Sequence, residues 1–234
     1  MAVDCAIADR RASHCRRYFK MITAAELARE RRNGALLLDT RPAEQFADIH
    51  IRGSIQISLM GNFASWAAII IDPAQKLVLI SEDANGAREA HNRLARVGLR
   101  NIFGYCLADE NEWRREGLEL ASISVERCEH IRQMLQSDSP VQLVDVRSRA
   151  EWLRGHLPGA ISLPLLDLDP KRQLIDPSKP SLVYCHEGFR ATTAASILLR
   201  ESAGEIGILI DGVEGWSALG LPLEMPDTPP PYQR

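Results

Sequence analysis

Cys185 opens the segment Cys185-His186-Glu187-Gly188-Phe189-Arg190-Ala191, directly after the apolar run Leu182-Val183-Tyr184. A cysteine at the end of an apolar run, with a glycine and an arginine close behind, has the makings of an anion-binding nucleophile. Gly188 permits a backbone conformation that larger residues resist, so the loop's amides can converge on one point. A helix following at once adds unpaired N–H groups and its positive dipole end. Such a nest should hold Cys185 as its thiolate, nucleophilic at neutral pH, with Arg190 adding a fixed positive charge at the rim or beneath the loop. The competing reading is a small hydrophobe that ends a strand, which describes most single cysteines. The spacing of Gly188 and Arg190, and the immediate helix, favour chemistry.

That loop needs a strand before it and a helix after it, and the chain supplies the scheme twice. Leu-Leu-Leu-Asp39-Thr-Arg41, Phe46 and His50-Ile-Arg-Gly53-Ser-Ile55 recur as Leu-Val-Asp145-Val-Arg147, Trp152 and His156-Leu-Pro-Gly159-Ala-Ile161, each 106 residues later. Trp113 with Gly117–Leu120 is answered by Trp216 with Gly220–Leu223. A repeat at a fixed offset signals duplicated structural units. Strands are expected at Leu36–Asp39, Lys76–Ile80 and Asn101–Tyr105, and again at Val141–Val146, Ala160–Leu163, Ser181–Cys185 and Ile206–Ile210. Helices are expected at Arg88–Val97 and Thr192–Arg200. Alternation of this kind predicts an α/β fold: two homologous domains, each a mainly parallel sheet with helices on both faces. The expected division is an extension over 1–20, a first domain over 21–120, a junction near Ala121–Ser124, a second domain over 124–225 and an exposed Pro-rich tail over 226–234. In an open parallel sheet, ligands sit beyond the C-terminal ends of the strands, which is where Cys185 falls.

Bulk properties narrow the classes. The 234 residues carry a net charge of −3, with hydrophobic residues at 45% and charged residues at 25%. A surface that tracks phosphates needs a basic excess, so no nucleic-acid partner is expected. No apolar run reaches the roughly 18 residues of a membrane span, and no secretory leader is readable. Basic residues cluster early (Arg10, Arg11, Arg16, Arg17, Lys20), but Asp4 and Asp9 interrupt them and a loose extension is the simpler reading. The five cysteines (Cys5, Cys15, Cys106, Cys128, Cys185) are odd in number and form no Cys-x-x-Cys pair, so free thiols in a reducing cytoplasm are expected. Six scattered histidines supply no metal motif, and none is expected.

Taken together, Asp145-Val-Arg147, Gly155-His-Leu-Pro-Gly159-Ala-Ile161, the Cys185–Ala191 loop and Asp211-Gly-Val-Glu-Gly-Trp216 with Gly-Leu-Pro222 resemble the tandem-domain rhodaneses, over roughly residues 21–225. The resemblance implies a sulfurtransferase in which Cys185 accepts a sulfane sulfur as a persulfide, with loop contacts from His186 to Ala191 and no metal or organic cofactor. Four residues separate Cys185 from Arg190. Phosphatase and arsenate-reductase relatives of that fold carry a longer loop, so the tighter one speaks for sulfur over phosphate. The first domain runs instead into Ser81-Glu82-Asp83-Ala-Asn-Gly86-Ala-Arg88, with no cysteine and two carboxylates that repel anions; it reads as catalytically silent. Gly53–Leu59 with Phe63-Ala-Ser-Trp66 and Ile71-Asp-Pro73 is similar to the rhodanese pair fused downstream of metallo-β-lactamase-like persulfide dioxygenases. That narrower likeness implies sulfide oxidation as context and a persulfide dioxygenase as a possible partner.

The expected reaction moves sulfur from thiosulfate or a thiol persulfide such as glutathione persulfide to a thiol or cyanide. Glu187 inside the loop should disfavour a small dianion. The alternative is a non-enzymatic binding or redox-sensing module with Cys185 as sensor. Asp145 and Arg147 are expected to support the loops, since Asp39 and Arg41 keep the same pair in the silent unit; His50 and His156 follow the same logic. Trp113 and Trp216 read as core residues, Cys106 as a buried thiol after a strand rather than a resolving one, and Arg93, Arg96 and Arg100 as a solvated helix face.

Overall fold

A computed structural model describes residues 19–136, 141–168, 172–200 and 204–226. The tail from 227 and the extension before 19, with Cys5 and Cys15, lie outside the described residues.

The first unit runs α1 (Ala24–Arg32), β1 (Leu36–Asp39), α2 (Ala43–Asp48), β2 (His50–Ile51), β3 (Ile55–Gln56), α3 (Phe63–Ile70), β4 (Leu77–Ser81), α4 (Ala84–Arg96), β5 (Ile102–Leu107), α5 (Glu110–Arg115) and β6 (Leu120–Ala121). The second runs β7 (Ser124–Glu126), α6 (Cys128–Gln136), β8 (Gln142–Asp145), α7 (Arg149–Trp152), β9 (Ile161–Ser162), β10 (Ser181–Tyr184), α8 (Phe189–Arg200), β11 (Ile206–Leu209) and α9 (Gly212–Ala218). The strand orders are β3-β1-β4-β5 and β7-β11-β10-β8-β9, and every neighbouring pair in both sheets is parallel. A bridge from Met21 to Tyr105 stands in the first unit where β7 lies in the second. Antiparallel pairing of β2 with β6, and a His156–Glu224 bridge, tie each unit's end to its middle.

Alternate strand residues enter different cores, as the pleat requires. Leu38 and Leu79 join Phe63, Ala67, Ala90 and Leu94 of α3 and α4. Leu37, Val78 and Ile80 join Ala24, Leu27 and Trp113 on the opposite face. In the second unit Val144, Val183 and Ile208 meet α8, whereas Leu143, Leu182 and Leu209 meet α6 and α9. Both sheets are therefore covered on both faces, as the strand–helix alternation predicts.

Three expectations need correction. Phe19 and Lys20 belong to the first unit: Phe19 packs on His91 and Tyr105, and the Lys20 carbonyl accepts from the Tyr105 amide. At the expected junction, Ile123 is buried with Phe46 and Ala47 and its amide bonds the Ala47 carbonyl. The helices start earlier than their apolar spacing suggests. Asp83 caps α4 at Ala84, and α8 begins at Phe189, directly after Gly188. Cys106 lies inside β5 rather than after it.

Candidate active site

Cys185 follows the last residue of β10 and is 2% exposed, forming the floor of a cleft between the two units. Its sulfur accepts a hydrogen bond from the Gly188 amide at 3.1 Å. Gly188 has φ +86°, and an added Cβ would stand 2.8 Å from the Ile210 carbonyl oxygen, so the turn that aims this amide needs glycine. The cleft is about 390 Å³ and also takes in His186, Glu187, Phe189, Arg190 and Thr193 from the second unit, with Met60, Phe63 and Trp66 among its residues from the first.

The loop is clamped from behind by α9. The amides of Val213 and Glu214 donate to the carbonyls of Cys185 (3.0 Å) and His186 (3.4 Å). Gly212, at φ +56°, makes the close approach possible.

Arg190 is not a free cation. Its two terminal nitrogens each donate to a carboxylate oxygen of Glu151, both at 2.8 Å. Hydrogen bonding to Arg190 and to Ser148 holds Glu151 well below the usual carboxylate range, and the pair in turn raises Arg190. Glu151 also closes a capping box with Ser148 at the start of α7. The lowered proton affinity gives this pair a pH signature. Its contribution is complete above the ordinary carboxylate value of 4.5 and is lost as pH falls below it. Both side chains are about one-fifth exposed, so screening keeps the effect modest. Glu151→Gln should cost about 1 kcal/mol at neutral pH, with the gap to the parent narrowing progressively as pH falls below 4.5, read by urea unfolding across pH.

The remaining sequence-selected residues separate. Asp145 and Arg147 do not line the cleft: they form a buried ion pair at 2.6 Å, and Arg147 also donates to the Gly155 carbonyl. Asp39 and Arg41 repeat this at 2.7 Å, with Ile49 as the carbonyl partner. Ala191 points into the core. His186, Glu187 and Phe189 are exposed at the mouth. His156 stacks on Trp152 and His50 on Phe46, a packing role in both units. Arg93 departs from the solvated face expected of it: it donates to the carbonyls of Leu59 (2.6 Å) and Gly61 (2.8 Å) and lies over the Phe63 ring. Burial pushes Cys106 up to about 11 and Cys128 up to about 12, which leaves both thiols protonated and unreactive.

In the first unit, β4 pairs with β1 as β10 pairs with β8, which sets Ser81 in the place of Cys185. There the Asp83 carboxylate accepts the Gly86 amide at 2.7 Å and fills the helix N-terminus itself.

Sequence reasoning missed Glu151, the clamping role of Gly212 and which residues of the first unit line the cleft. The Ser148-x-x-Glu151 spacing was readable as a capping box, and Asp211-Gly212 as a turn. Nothing local announces that Met60 and Trp66 face Cys185. Among the described residues, His186, Glu187 and Glu214 bring possible metal donors within 4.8 Å of one another at the rim, all exposed. No described helix is long and apolar enough to cross a membrane.

The rhodanese-like domain model matches the chain twice, over residues 23–108 and 128–219. A sulfurtransferase of Allochromatium vinosum is 30% identical over 99 residues, covering 42% of this chain and 92% of that protein. The thiosulfate sulfurtransferase GlpE of Coxiella burnetii is 31% identical over 78 residues, or 33% of this chain and 73% of that protein. The match to the HTH-type transcriptional regulator Rv0324 of Mycobacterium tuberculosis, at 29% identity, spans only 44% of the regulator. Among solved structures, a thiosulfate sulfurtransferase from Pseudomonas aeruginosa aligns over 89% of this chain and 44% of that one, at 20% identity and TM-score 0.41. The two family matches account for most of the sequence, and the chain belongs to the rhodanese-like domain family.

Proposed function

We propose that this chain is a sulfurtransferase working through a Cys185 persulfide. The Cys185 thiolate attacks the sulfane sulfur of a donor, and a thiol or cyanide then removes the outer sulfur. The observation that carries this reading is the position of the Cys185 sulfur, at a strand's C-terminal end, bonded to the Gly188 amide and opening on the cleft. In this scheme the loop amides, that of Gly188 among them, stabilise the persulfide anion. The cysteine itself holds the sulfur, so the scheme needs no metal or organic cofactor. The first unit, with Ser81 and Asp83 at its equivalent loop, contributes no nucleophile and is catalytically silent in this scheme.

The donors to consider are thiosulfate and glutathione persulfide, with a low-molecular-weight thiol as acceptor. The likeness of the first unit to dioxygenase-fused pairs adds a persulfide dioxygenase as a partner, and the odd, irregularly spaced cysteines add a reducing cytoplasm as the setting. Glu187 at the mouth repels dianions, so Glu187→Gln should lower the thiosulfate KM about threefold to fivefold. An unchanged KM would remove Glu187 from donor choice.

The reading is tested by incubating reduced protein with each donor and taking intact and peptide mass spectra. Gain of one sulfur atom on the Cys185 peptide is the expected result. Failure of both donors on protein that still alkylates at Cys185 would leave a binding or redox-sensing module as the better account.

A further inference from the structure

The half of the cleft built by the first unit takes no part in the sulfur chemistry proposed above. Its lining carries Met60 and Trp66 at the surface over the buried Ile57 and Phe63, with Ser58 and Asn62 beside them, and Phe189 closes the mouth from the second unit. Met60 is 66% exposed and Phe189 43% exposed, so greasy surface is presented to solvent right where a donor enters. The wall is held in place by Arg93, which ties down the Leu59 and Gly61 carbonyls from behind.

Charge points the same way. Among the described residues the cleft is lined by no lysine, and the one arginine there, Arg190, is committed to Glu151 through both terminal nitrogens. Glu187 lines the mouth, with Glu214 beside it at the rim. Among the described residues an inorganic dianion meets no uncommitted lysine or arginine here, whereas an apolar group meets the rings of Trp66 and Phe189 and the thioether of Met60.

Resting on the sulfurtransferase reading, we infer that this wall is a subsite for the carbon skeleton of an apolar organic persulfide, and that the cleft selects such donors over thiosulfate. The volume of about 390 Å³ suits a small organic ligand, at the lower end of roughly 300–1,000 Å³. The step balances without an oxidant. The Cys185 thiolate bonds the outer sulfur of R–S–SH, the donor S–S bond breaks, and R–S⁻ leaves with the electron pair. The proton of the outer sulfur passes to R–S⁻, giving R–SH and the Cys185 persulfide anion. The apolar R group occupies the wall before and after transfer.

The test uses full-length reduced protein with benzyl persulfide and thiosulfate as probes, following sulfur gain on the Cys185 peptide. Each rate is divided by that donor's rate with free cysteine, which removes intrinsic reactivity. The normalised preference for benzyl persulfide should be at least about tenfold, the effect of burying a few methylene-equivalents of apolar surface. Trp66→Ala should shrink that preference about tenfold. Met60→Lys, at an exposed position that folding tolerates, should raise thiosulfate loading about fivefold by supplying a cation. Equal normalised rates in the parent, or a preference unmoved by both variants, would overturn the subsite and leave the sulfurtransferase reading standing. Failure of both donors to load an alkylatable Cys185 would overturn that reading and the subsite with it.

Discussion

Cys185→Ser should lose sulfur loading by at least about a thousandfold while remaining folded. A hydroxyl at neutral pH is not ionised and is a poor nucleophile toward sulfane sulfur, so the first bond does not form. The substitution removes one large soft atom and little volume. The first unit shows that a strand end of this kind accepts serine: Ser81 sits buried at the equivalent position, paired in the same register. Thermal unfolding should therefore stay within a few degrees of the parent, which separates loss of chemistry from loss of fold. Sulfur still gained by the variant on another peptide would move the nucleophile elsewhere. Cys106 and Cys128 are poor candidates, each buried and held protonated.

Gly212→Ala should act on stability and chemistry at once. The residue sits at φ +56°, and an added Cβ would lie 2.4 Å from the carbonyl oxygens of both Cys185 and His186. Left-handed backbone strain and the steric clash together should cost about 2–4 kcal/mol. For a chain of this size that corresponds to a fall in melting temperature of roughly 5–15 °C. The relaxing atoms belong to the reactive loop, so sulfur loading should fall as well, even in protein folded at low temperature. Gly220→Ala is the matched control: φ is +67° but nothing lies within 4 Å of its added Cβ, so only the strain, about 1 kcal/mol, remains. Equal melting temperatures for the two variants would show that the clamp of α9 on the loop carries no load.

Much of the fold is legible because each unit repeats its own pattern. The offset of 106 residues seen in the motifs holds between β1 and β8 and between β3 and β9. It slips to 104 between Leu77 and Ser181, which start β4 and β10, because the loops before them differ in length. Strand faces follow from alternation, and Cys185 is found from its loop alone. What escapes is non-local. Glu151 can be read as a cap, but its partner Arg190 lies 39 residues away on another element. The capping residues Thr23 and Asp109 mark α1 and α5, yet neither helix has enough periodic apolar residues to be read with ease. Arg93 looks like one more basic residue on a solvated face until the loop at Leu59–Gly61 folds beneath it. The cleft wall is least legible of all, since Trp66 and Cys185 meet only after two separate sheets have formed.

The helix that carries Phe189 and Arg190 is also the lid on the neighbouring sheet's open edge. Strand β3 is the outermost strand of the first sheet, and its Gln56 amide is answered by the Ser196 hydroxyl of α8 at 3.0 Å. Thr193 reaches the Gln56 side chain, which in turn holds the Arg41 carbonyl. An uncovered outer strand is a template for pairing with other chains. The two units are thus mutual protectors against self-association: cut apart at Ser122–Ile123, the first would bare a strand edge and the second a helix face built to sit on it.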